Sequence, residues 1–296
     1  MNKHLLLALT LCASLHGYGQ KMHQLASPDG NIQVSINISD KIYYDIVCQK
    51  DTLLKQCNLQ MQLGDEEAGN HPKLIKANRK SINESLKPII ALKHSTVSNK
   101  YNQLQLKFKG DYSVEFRAFD DGIAYRFITN KKGMIEVGNE IFQVNFPENY
   151  LLHMQQPGGF KTAYEEEYRH VQSQEWKATG SMALLPLLID TRKDYKILIS
   201  ESALTDYPAL FLKSNDRNGM LSVFPKVPLE FGEDGDRSLK ILKEANYIAK
   251  TNGQRCFPWR YFVITKDDGQ LIENTMTYKL ADKNVLEDTS WIKPGL

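Results

Sequence analysis

The chain has 296 residues, of which 42% are hydrophobic and 24% charged, and its 37 basic and 35 acidic side chains leave a formal net charge of +2. This balance, without a basic stripe that could neutralise phosphates, argues against nucleic acid as a partner. The length allows one large all-β domain or two smaller domains, with ample apolar material for a core.

The N-terminus is organised like a secretory signal peptide over residues 1–19. The basic region Met1–His4 precedes the apolar stretch Leu5–Leu15, and small residues up to Gly19 suit cleavage. This stretch is too short to cross a bilayer, and none that follows is longer, so we expect no membrane insertion. The bulky Leu11 before Cys12 argues against a lipid anchor at that cysteine. We therefore expect a secreted, periplasmic protein.

Three cysteines, Cys48, Cys57 and Cys256, remain after the signal peptide. Their odd number cannot form a closed set of disulfides, although one bridge with a spare thiol is open. We expect all three to behave as small buried hydrophobic residues.

Alternation of apolar and polar residues is the dominant pattern and predicts half-buried antiparallel strands. Asp120-Asp121-Gly122 separates two alternating runs, Tyr112–Phe119 and Ile123–Ile128, and predicts a tight hairpin. Helical signal is scarce, and the best case is Asp268–Tyr278, where an acidic start precedes a weak amphipathic stretch. The fold class is therefore all-β, a large two-sheet sandwich with few short helices. Further strands are predicted at Ile32–Ile38, Phe142–Phe146, Met182–Ile189, Tyr195–Ser200, Met220–Phe224 and Trp259–Thr265.

The longest irregular segment, His153 to Thr179, combines aromatic and acidic residues. Tyr164, Glu165, Glu166, Glu167 and Tyr168 form its densest part. Aromatic faces beside carboxylates suit a pyranose, which offers an apolar face and a rim of hydroxyl groups. The alternative is a solvated acidic loop anchored by its aromatic residues. Because no paired metal-ligand spacing accompanies them, His153 and His170 are interpreted as surface histidines.

Glu201 directly follows the apolar run Lys196–Ile199, at a strand end where a hard oxygen ligand can point out of a sheet. Calcium needs six to eight oxygens and one carboxylate supplies at most two, so Glu201 alone is not a calcium site. The alternative is that Glu201 or Ser200 caps the turn. In the last residues, Trp291 and the turn signal Pro294-Gly295 predict that another element follows.

Four motifs together resemble glycoside hydrolase family 97. They are Phe116–Phe127, Glu201–Pro208, Gly253–Arg260 and Asp288–Gly295, and in order and spacing they cover the chain after the signal peptide. The resemblance implies an exported α-glucosidase or α-galactosidase whose β-super-sandwich, of the galactose-mutarotase type, precedes a catalytic (β/α)8 barrel. It implies a sandwich over residues 20–280, a linker over 281–296, and a chain that is a truncated, split or frameshifted product.

The same resemblance implies that the catalytic carboxylates lie on the barrel, so this chain contributes no catalytic residue. It also implies that Glu201 supplies one ligand to a Ca²⁺ ion otherwise held by the barrel. The partners would be an α-linked glucoside or galactoside and a barrel encoded downstream. A stand-alone carbohydrate-binding module is the main alternative. An aldose epimerase is a further one, because mutarotases share this architecture, but no compelling His/Glu acid–base pair supports it.

Overall fold

The structure, a computed structural model, describes residues 21–91 and 93–293. The predicted signal peptide, residues 1–19, and the turn Pro294-Gly295 lie outside the described residues. The first half of the described chain consists of strands β1 Lys21–Ala26, β2 Ile32–Ile38, β3 Ile42–Cys48, β4 Asp51–Leu63, β5 Glu66–Ala68, β6 Leu74–Leu86, β7 Val97–Phe108, β8 Tyr112–Phe119 and β9 Gly122–Asn145.

The second half contains shorter strands and two short helices. None of the helices in residues 21–91 and 93–293 is long and apolar enough to cross a membrane. The elements are β10 Leu151–Gln155, β11 Tyr168–Gln172, β12 Leu187–Asp190, β13 Lys196–Ser202, β14 Phe211–Ser214, β15 Gly219–Val223, β16 Pro228–Glu233, β17 Leu239–Glu244, β18 Ala249–Cys256, β19 Trp259–Thr265, α1 Asp268–Glu273 and α2 Met276–Leu280.

Seventeen of the described strands join in one antiparallel sheet that closes on itself as a sandwich, and β16 and β17 form a separate two-stranded ribbon. The 24-residue strand β9 connects the halves of the sheet. It pairs with β8 on one side and with β19, β18, β4 and β15 along its length. A Cβ on Gly122 would lie 2.1 Å from the Phe262 carbonyl oxygen, so only glycine lets β9 start this close to β19.

The main core lies between the two layers and is built by strand alternation. Strand β2, for example, buries every second residue, because successive side chains of a strand point to opposite faces. A second, smaller core lies on the other face of β19, where α1 and α2 cover the sheet. Its buried members are Tyr101, Phe119, Ala124, Trp259, Tyr261, Val263, Met276 and Leu280. Strand β19 is therefore buried on both faces and has no exposed residue.

The predicted all-β sandwich is confirmed, and the strands predicted at 32–38, 112–119 and 259–265 have the same bounds in the structure. The predicted hairpin is present, with Phe119 paired to Gly122 across Asp120-Asp121. The prediction of one helix over 268–278 was wrong, because Asn274 is extended between α1 and α2. Its side chain accepts a hydrogen bond from the Met276 N–H at 2.8 Å, and this local bond competes with helix continuation.

Two further expectations need correction. The strand predicted from Met182 begins at Leu187, after Pro186, because proline has no N–H to donate to a ladder. Cys256 is exposed rather than buried, because it takes an outward position in the alternation of β18. Cys48 and Cys57 are buried as expected, and none of these three thiols is in a disulfide.

Candidate functional site

Glu201 is part of a buried ion cluster of three side chains, which we call the inner cluster. It is the penultimate residue of β13 and lies opposite Arg260 of β19. The Arg260 side chain has no exposed area, and its Nε and Nη2 donate to the two carboxylate oxygens of Glu140 at 2.8 Å each. Its Nη1 donates to Glu201 Oε2. Three sequence-distant strands, β9, β13 and β19, thus contribute one charge each.

The inner cluster holds two carboxylates against one guanidinium. Burial disfavours the charge of Arg260, but Glu140 and then Glu201 outweigh burial and raise the pKa of Arg260. Burial raises the pKa of Glu201, while Arg260 and the Leu210 N–H, 3.2 Å from Oε1, oppose the rise. Only Glu201, with 13% of its side chain exposed, reaches the surface. The surplus negative charge therefore resides where solvent or another group can meet it.

The turn after β13 holds Glu201 in place. Ala203 and Asp206 have positive φ values of 57° and 51°, which bend the chain sharply. Arg255 of β18 donates to the carbonyl oxygens of Thr205 at 2.7 Å and Asp206 at 3.1 Å. These bonds fix the segment leading to Leu210, whose N–H meets Glu201.

The same turn brings the acidic, aromatic segment predicted from the sequence close to Glu201. The Phe211 ring, next to Leu210, lies 5.0 Å from the Phe160 ring and 5.8 Å from the Tyr164 ring between centroids. Gln155 also anchors the segment, through a 2.6 Å hydrogen bond from its Nε2 to the Glu166 carbonyl oxygen. Two candidate segments separated by more than thirty residues in the sequence therefore meet around residues 207–211.

The side chains predicted to contact a sugar are at the surface. Tyr164 is 39% exposed and Tyr168 is 56% exposed, and Glu165, Glu166 and Glu167 between them are exposed as well. Tyr168 begins β11, opposite Gln155 of β10. The segment thus presents two aromatic rings and three carboxylates to solvent, as either sequence interpretation would allow.

A cavity of about 860 Å³ adjoins this surface, between the turn at Tyr207 and the β16–β17 ribbon. Lys161 links the segment to the ribbon through an ion pair with Asp234 at 3.0 Å. The ribbon exposes a set of large apolar side chains, and contiguous exposed apolar side chains are typical of an interaction surface. These side chains are Leu229, Phe231, Leu239, Ile241 and Leu242.

Calcium fits Glu201 in donor type but not in donor number. A carboxylate oxygen is the ligand Ca²⁺ prefers, yet a shell needs six to eight oxygens. Within residues 21–91 and 93–293, no group of three or more His, Cys, Asp or Glu side chains is arranged to hold a metal. Arg260 already binds the Glu201 carboxylate. The described residues do not form a calcium site by themselves, and the metal role of Glu201 stays a prediction.

His153 and His170, interpreted above as surface histidines, face each other across β10 and β11. Their Nδ1 atoms are 2.6 Å apart. Partial burial, and then the neighbouring His170, lower the pKa of His153. One imidazole therefore donates to the other, a pairing that the spacing of the two residues in the sequence did not suggest.

Sequence reasoning missed Arg260 and Glu140. A signal existed for Arg260, since it is the one charged residue of the strand Trp259–Thr265, which is otherwise apolar or aromatic up to Ile264. A charge in such a strand requires a buried partner. Nothing in the sequence identified that partner as Glu140, which is 120 residues away.

Comparison with known proteins agrees with this architecture. The model of the family described as glycosyl-hydrolase 97 N-terminal matches residues 25–282. A retaining α-galactosidase from Bacteroides thetaiotaomicron is 33% identical over 307 aligned positions, which span all of this chain and 46% of that protein.

Solved structures show the same fold at lower identity. A glycoside hydrolase family 97 enzyme from Pseudoalteromonas sp. strain K8, solved in complex with acarbose, superposes with a TM-score of 0.78 at 23% identity, covering 92% of this chain and 40% of that one. A β-arabinopyranosidase superposes with a TM-score of 0.68 at 20% identity, covering 82% of this chain and 40% of that one. This chain spans less than half the length of each of these relatives.

Proposed function

The chain belongs to the glycosyl-hydrolase 97 N-terminal family, and from that premise we propose that it serves an α-glycosidase by closing one side of the active site. The catalytic part would be the remainder of such an enzyme, and the substrate an α-linked galactoside or glucoside. The observation that carries the proposal is the convergence of Glu201, the Tyr164–Tyr168 segment and the apolar ribbon around residues 207–211. Glycoside hydrolysis needs two carboxylic groups at a defined separation across the bond, and we assign neither to this chain.

The apolar ribbon supports docking against a second domain. An interface core is typically apolar and aromatic with a polar rim, and the ribbon offers Phe231 and Ile241 beside the charged pair Lys161–Asp234. The surplus carboxylate of the inner cluster would face the same partner.

A chimeric enzyme tests this proposal. The chain replaces the matching part of the Bacteroides α-galactosidase, and release of p-nitrophenol from its α-galactoside and α-glucoside is measured. We expect no release by the chain alone, and a higher rate from the chimera than from the remainder of the relative alone. The exposed Arg79→Gln variant is the control and should match the parent chimera.

Two results would contradict the proposal. One is hydrolysis by the chain alone above the background of a heat-inactivated sample. The other is a chimera that is folded by circular dichroism and elutes as a single species, yet is no more active than the remainder of the relative.

Calcium binding is proposed only in a restricted form, with Glu201 as one ligand of a shell completed elsewhere. Affinity rises with the number of ligands and the rigidity of the site. Calorimetry should therefore show weak Ca²⁺ binding by the chain alone, tighter binding by the chimera, and weaker binding again in the chimera carrying Glu201→Gln. Tight binding by the chain alone would mean that the metal site is complete within this chain, and an unchanged affinity in the variant would mean that Glu201 is not the ligand.

A stand-alone carbohydrate-binding module is the second candidate, favoured by the exposure of Tyr164 and Tyr168. Calorimetric titration of the chain with α-galactosides and maltose separates it from the first. Saturable binding that is lost in Tyr168→Ala but kept in Tyr43→Ala, on the distant strand β3, would favour the module. Absence of binding would argue against the module and leave docking against a catalytic domain as the one proposed function.

Export completes the proposal and depends on residues 1–19. N-terminal sequencing of the protein from its native cell should begin near Gln20. An intact Met1 in periplasmic material would contradict export through this signal.

A further inference from the structure

A second cavity, of about 950 Å³, lies on the other face of β19 from the inner cluster. Segments 86–90 and 278–284 close its sides, and its volume falls within the range of about 300–1,000 Å³ typical of small-molecule sites. Its floor is formed by side chains of β6, β7, β8, β9 and β19, namely Glu84, Asn99, Tyr101, Arg117, Arg126 and Trp259.

Four side chains, Glu115, Arg117, Arg126 and Trp259, form what we call the outer cluster. The buried Glu115 accepts hydrogen bonds from Arg117 Nε at 2.9 Å and from Arg126 Nε and Nη2 at 3.2 and 3.0 Å. The Cζ atoms of the two arginines lie 4.4 and 4.2 Å from the centre of the Trp259 ring. Both guanidinium groups are therefore held in fixed orientations before any ligand arrives.

The outer cluster has donors left over. Among the described residues, neither the Nη atoms of Arg117 nor Nη1 of Arg126 has a hydrogen-bond acceptor, and the two side chains are 15% and 14% exposed where they line the cavity. One carboxylate cannot neutralise two guanidinium groups. A guanidinium presents its donors as a planar fork that matches the two oxygens of a carboxylate.

The rest of the cavity also favours an anion. Its lining carries five cationic side chains and two carboxylates, although the whole chain is almost neutral, and of the five cations Lys279 is already paired with Asp121 at 2.8 Å. The cations are Lys87, Arg117, Arg126, Lys279 and Lys283, and the carboxylates are Glu84 and Asp282. Low-dielectric walls lined mainly by one sign of charge concentrate ligands of the opposite sign.

A simple inorganic anion would leave one group of the lining unsatisfied. Asn99 donates from Nδ2 to Glu84 Oε1 at 2.7 Å, but its buried Oδ1 has no hydrogen-bond partner. An unpaired buried acceptor costs about 1–3 kcal/mol. A ligand hydroxyl group can donate to it, and a second hydroxyl group can donate to Glu84.

We propose that this cavity binds a monosaccharide-sized sugar acid, with its carboxylate on Arg117 and Arg126 and its hydroxyl groups on Asn99 and Glu84. A sugar acid combines the anion that the arginines need with the hydroxyl donors that Asn99 and Glu84 lack. The site goes beyond the function proposed above and does not depend on it, because it lies on the opposite face of β19 from Glu201.

Titration of the full chain with glucuronate and galacturonate tests the proposal, by calorimetry and by fluorescence, for which Trp259 is a reporter inside the site. We expect saturable binding of at least one sugar acid, with at least tenfold weaker binding of glucose and of sulfate. Arg117→Gln should weaken binding at least tenfold. This variant leaves Glu115 paired with Arg126, so the fold is retained, and Arg79→Gln is the control with the same change of charge outside the cavity.

Asn99→Ala separates the two halves of the site. It should weaken sugar-acid binding severalfold and leave any residual sulfate binding unchanged. The proposal is overturned by absence of binding, by equal binding of sulfate or glucose, or by Arg117→Gln binding as well as the parent.

Discussion

The inner and outer clusters are anchored by neighbouring residues, Arg260 and Trp259, yet they differ in almost every physical respect. The inner cluster has one guanidinium and two carboxylates, and Arg260 is completely buried. The outer cluster has two guanidinium groups and one carboxylate beside an open cavity. Because successive side chains of a strand point to opposite faces, β19 separates the two clusters: Arg260 faces the buried negative surplus and Trp259 faces the cavity-side positive surplus.

The charges of the inner cluster maintain the fold, whereas part of the charge of the outer cluster remains available for binding. Removing one partner of a buried pair leaves an uncompensated charge in a low-dielectric interior. The bidentate Arg260–Glu140 pair is in that position. Arg117 and Arg126 keep partial contact with solvent, which can replace a lost partner at lower cost. The surplus donors of the outer cluster can therefore be kept for a ligand without destabilising the sandwich.

The largest expected effect comes from breaking the inner pair. Glu140→Gln should lower the free energy of unfolding by about 3–5 kcal/mol, because Arg260 would keep only Glu201 as a charged partner. Urea unfolding, monitored by circular dichroism, measures this decrease in the free energy of unfolding. Glu136→Gln, on the exposed side of the same strand and paired with Lys250, is the matched control and should change stability by less than about 0.5 kcal/mol. Equal effects of the two substitutions would remove the distinction between the buried and exposed pairs.

A smaller effect is expected in the outer cluster. Glu115→Gln should cost about 1.5–3 kcal/mol, the usual range for hydrogen bonds to charged groups. Because both arginines are partly exposed, added salt should screen their repulsion and reduce this cost. The cost of Glu140→Gln should not change with salt. Urea unfolding of both variants and the parent, at low salt and in 1 M NaCl, measures the two stability costs. An equal change of both costs with salt would contradict the proposed difference between the clusters.

The smallest effect is expected at Glu201. At a pH near the ordinary pKa of a glutamate, Glu201→Gln should change the free energy of unfolding by less than about 1 kcal/mol. Arg260 keeps Glu140 as a partner, and the new amide oxygen can still accept a hydrogen bond from the Leu210 N–H. Burial raises the pKa of Glu201 in the folded chain above 4.5. Its protonated form therefore contributes stability at pH values below the pKa that Glu201 has in the unfolded chain. This contribution is lost as pH rises through the pKa of Glu201 in the folded chain. The variant should therefore gain stability relative to the parent as pH rises from 4 towards neutral. Unfolding curves of the variant and the parent across that pH range check this prediction. A loss of stability in the variant relative to the parent as pH rises would show that attraction by Arg260 exceeds the cost of burying the charged Glu201.

Several features of the fold followed from local pattern. Strand bounds at Ile32–Ile38 and Tyr112–Phe119 were predictable because apolar and polar residues alternate along both segments, a pattern that can be recognised without knowledge of the partner strand. Asp120-Asp121-Gly122 predicted its hairpin for the same reason. The break at Asn274 was harder, because the local bond from its side chain to the Met276 N–H outweighed a weak amphipathic pattern. The prediction that Cys256 is buried was wrong because it rested on the usual burial of cysteine and not on the position of Cys256 in the alternation of β18.

The all-β class, several strand positions, the family motifs and the two segments of the candidate site followed from the sequence, because each depends on the order of a few neighbouring residues. Which charged side chains meet depends on the folded arrangement of the strands. Arg260 finds Glu140 across 120 residues, and Glu115, Arg117, Arg126 and Trp259 assemble from three strands. Such pairings depend on sheet register and on which face of a strand is buried. Strand β19 has both faces buried, so its local pattern could indicate that Arg260 needs a buried partner but not which groups surround Arg260 and Trp259 on the two faces.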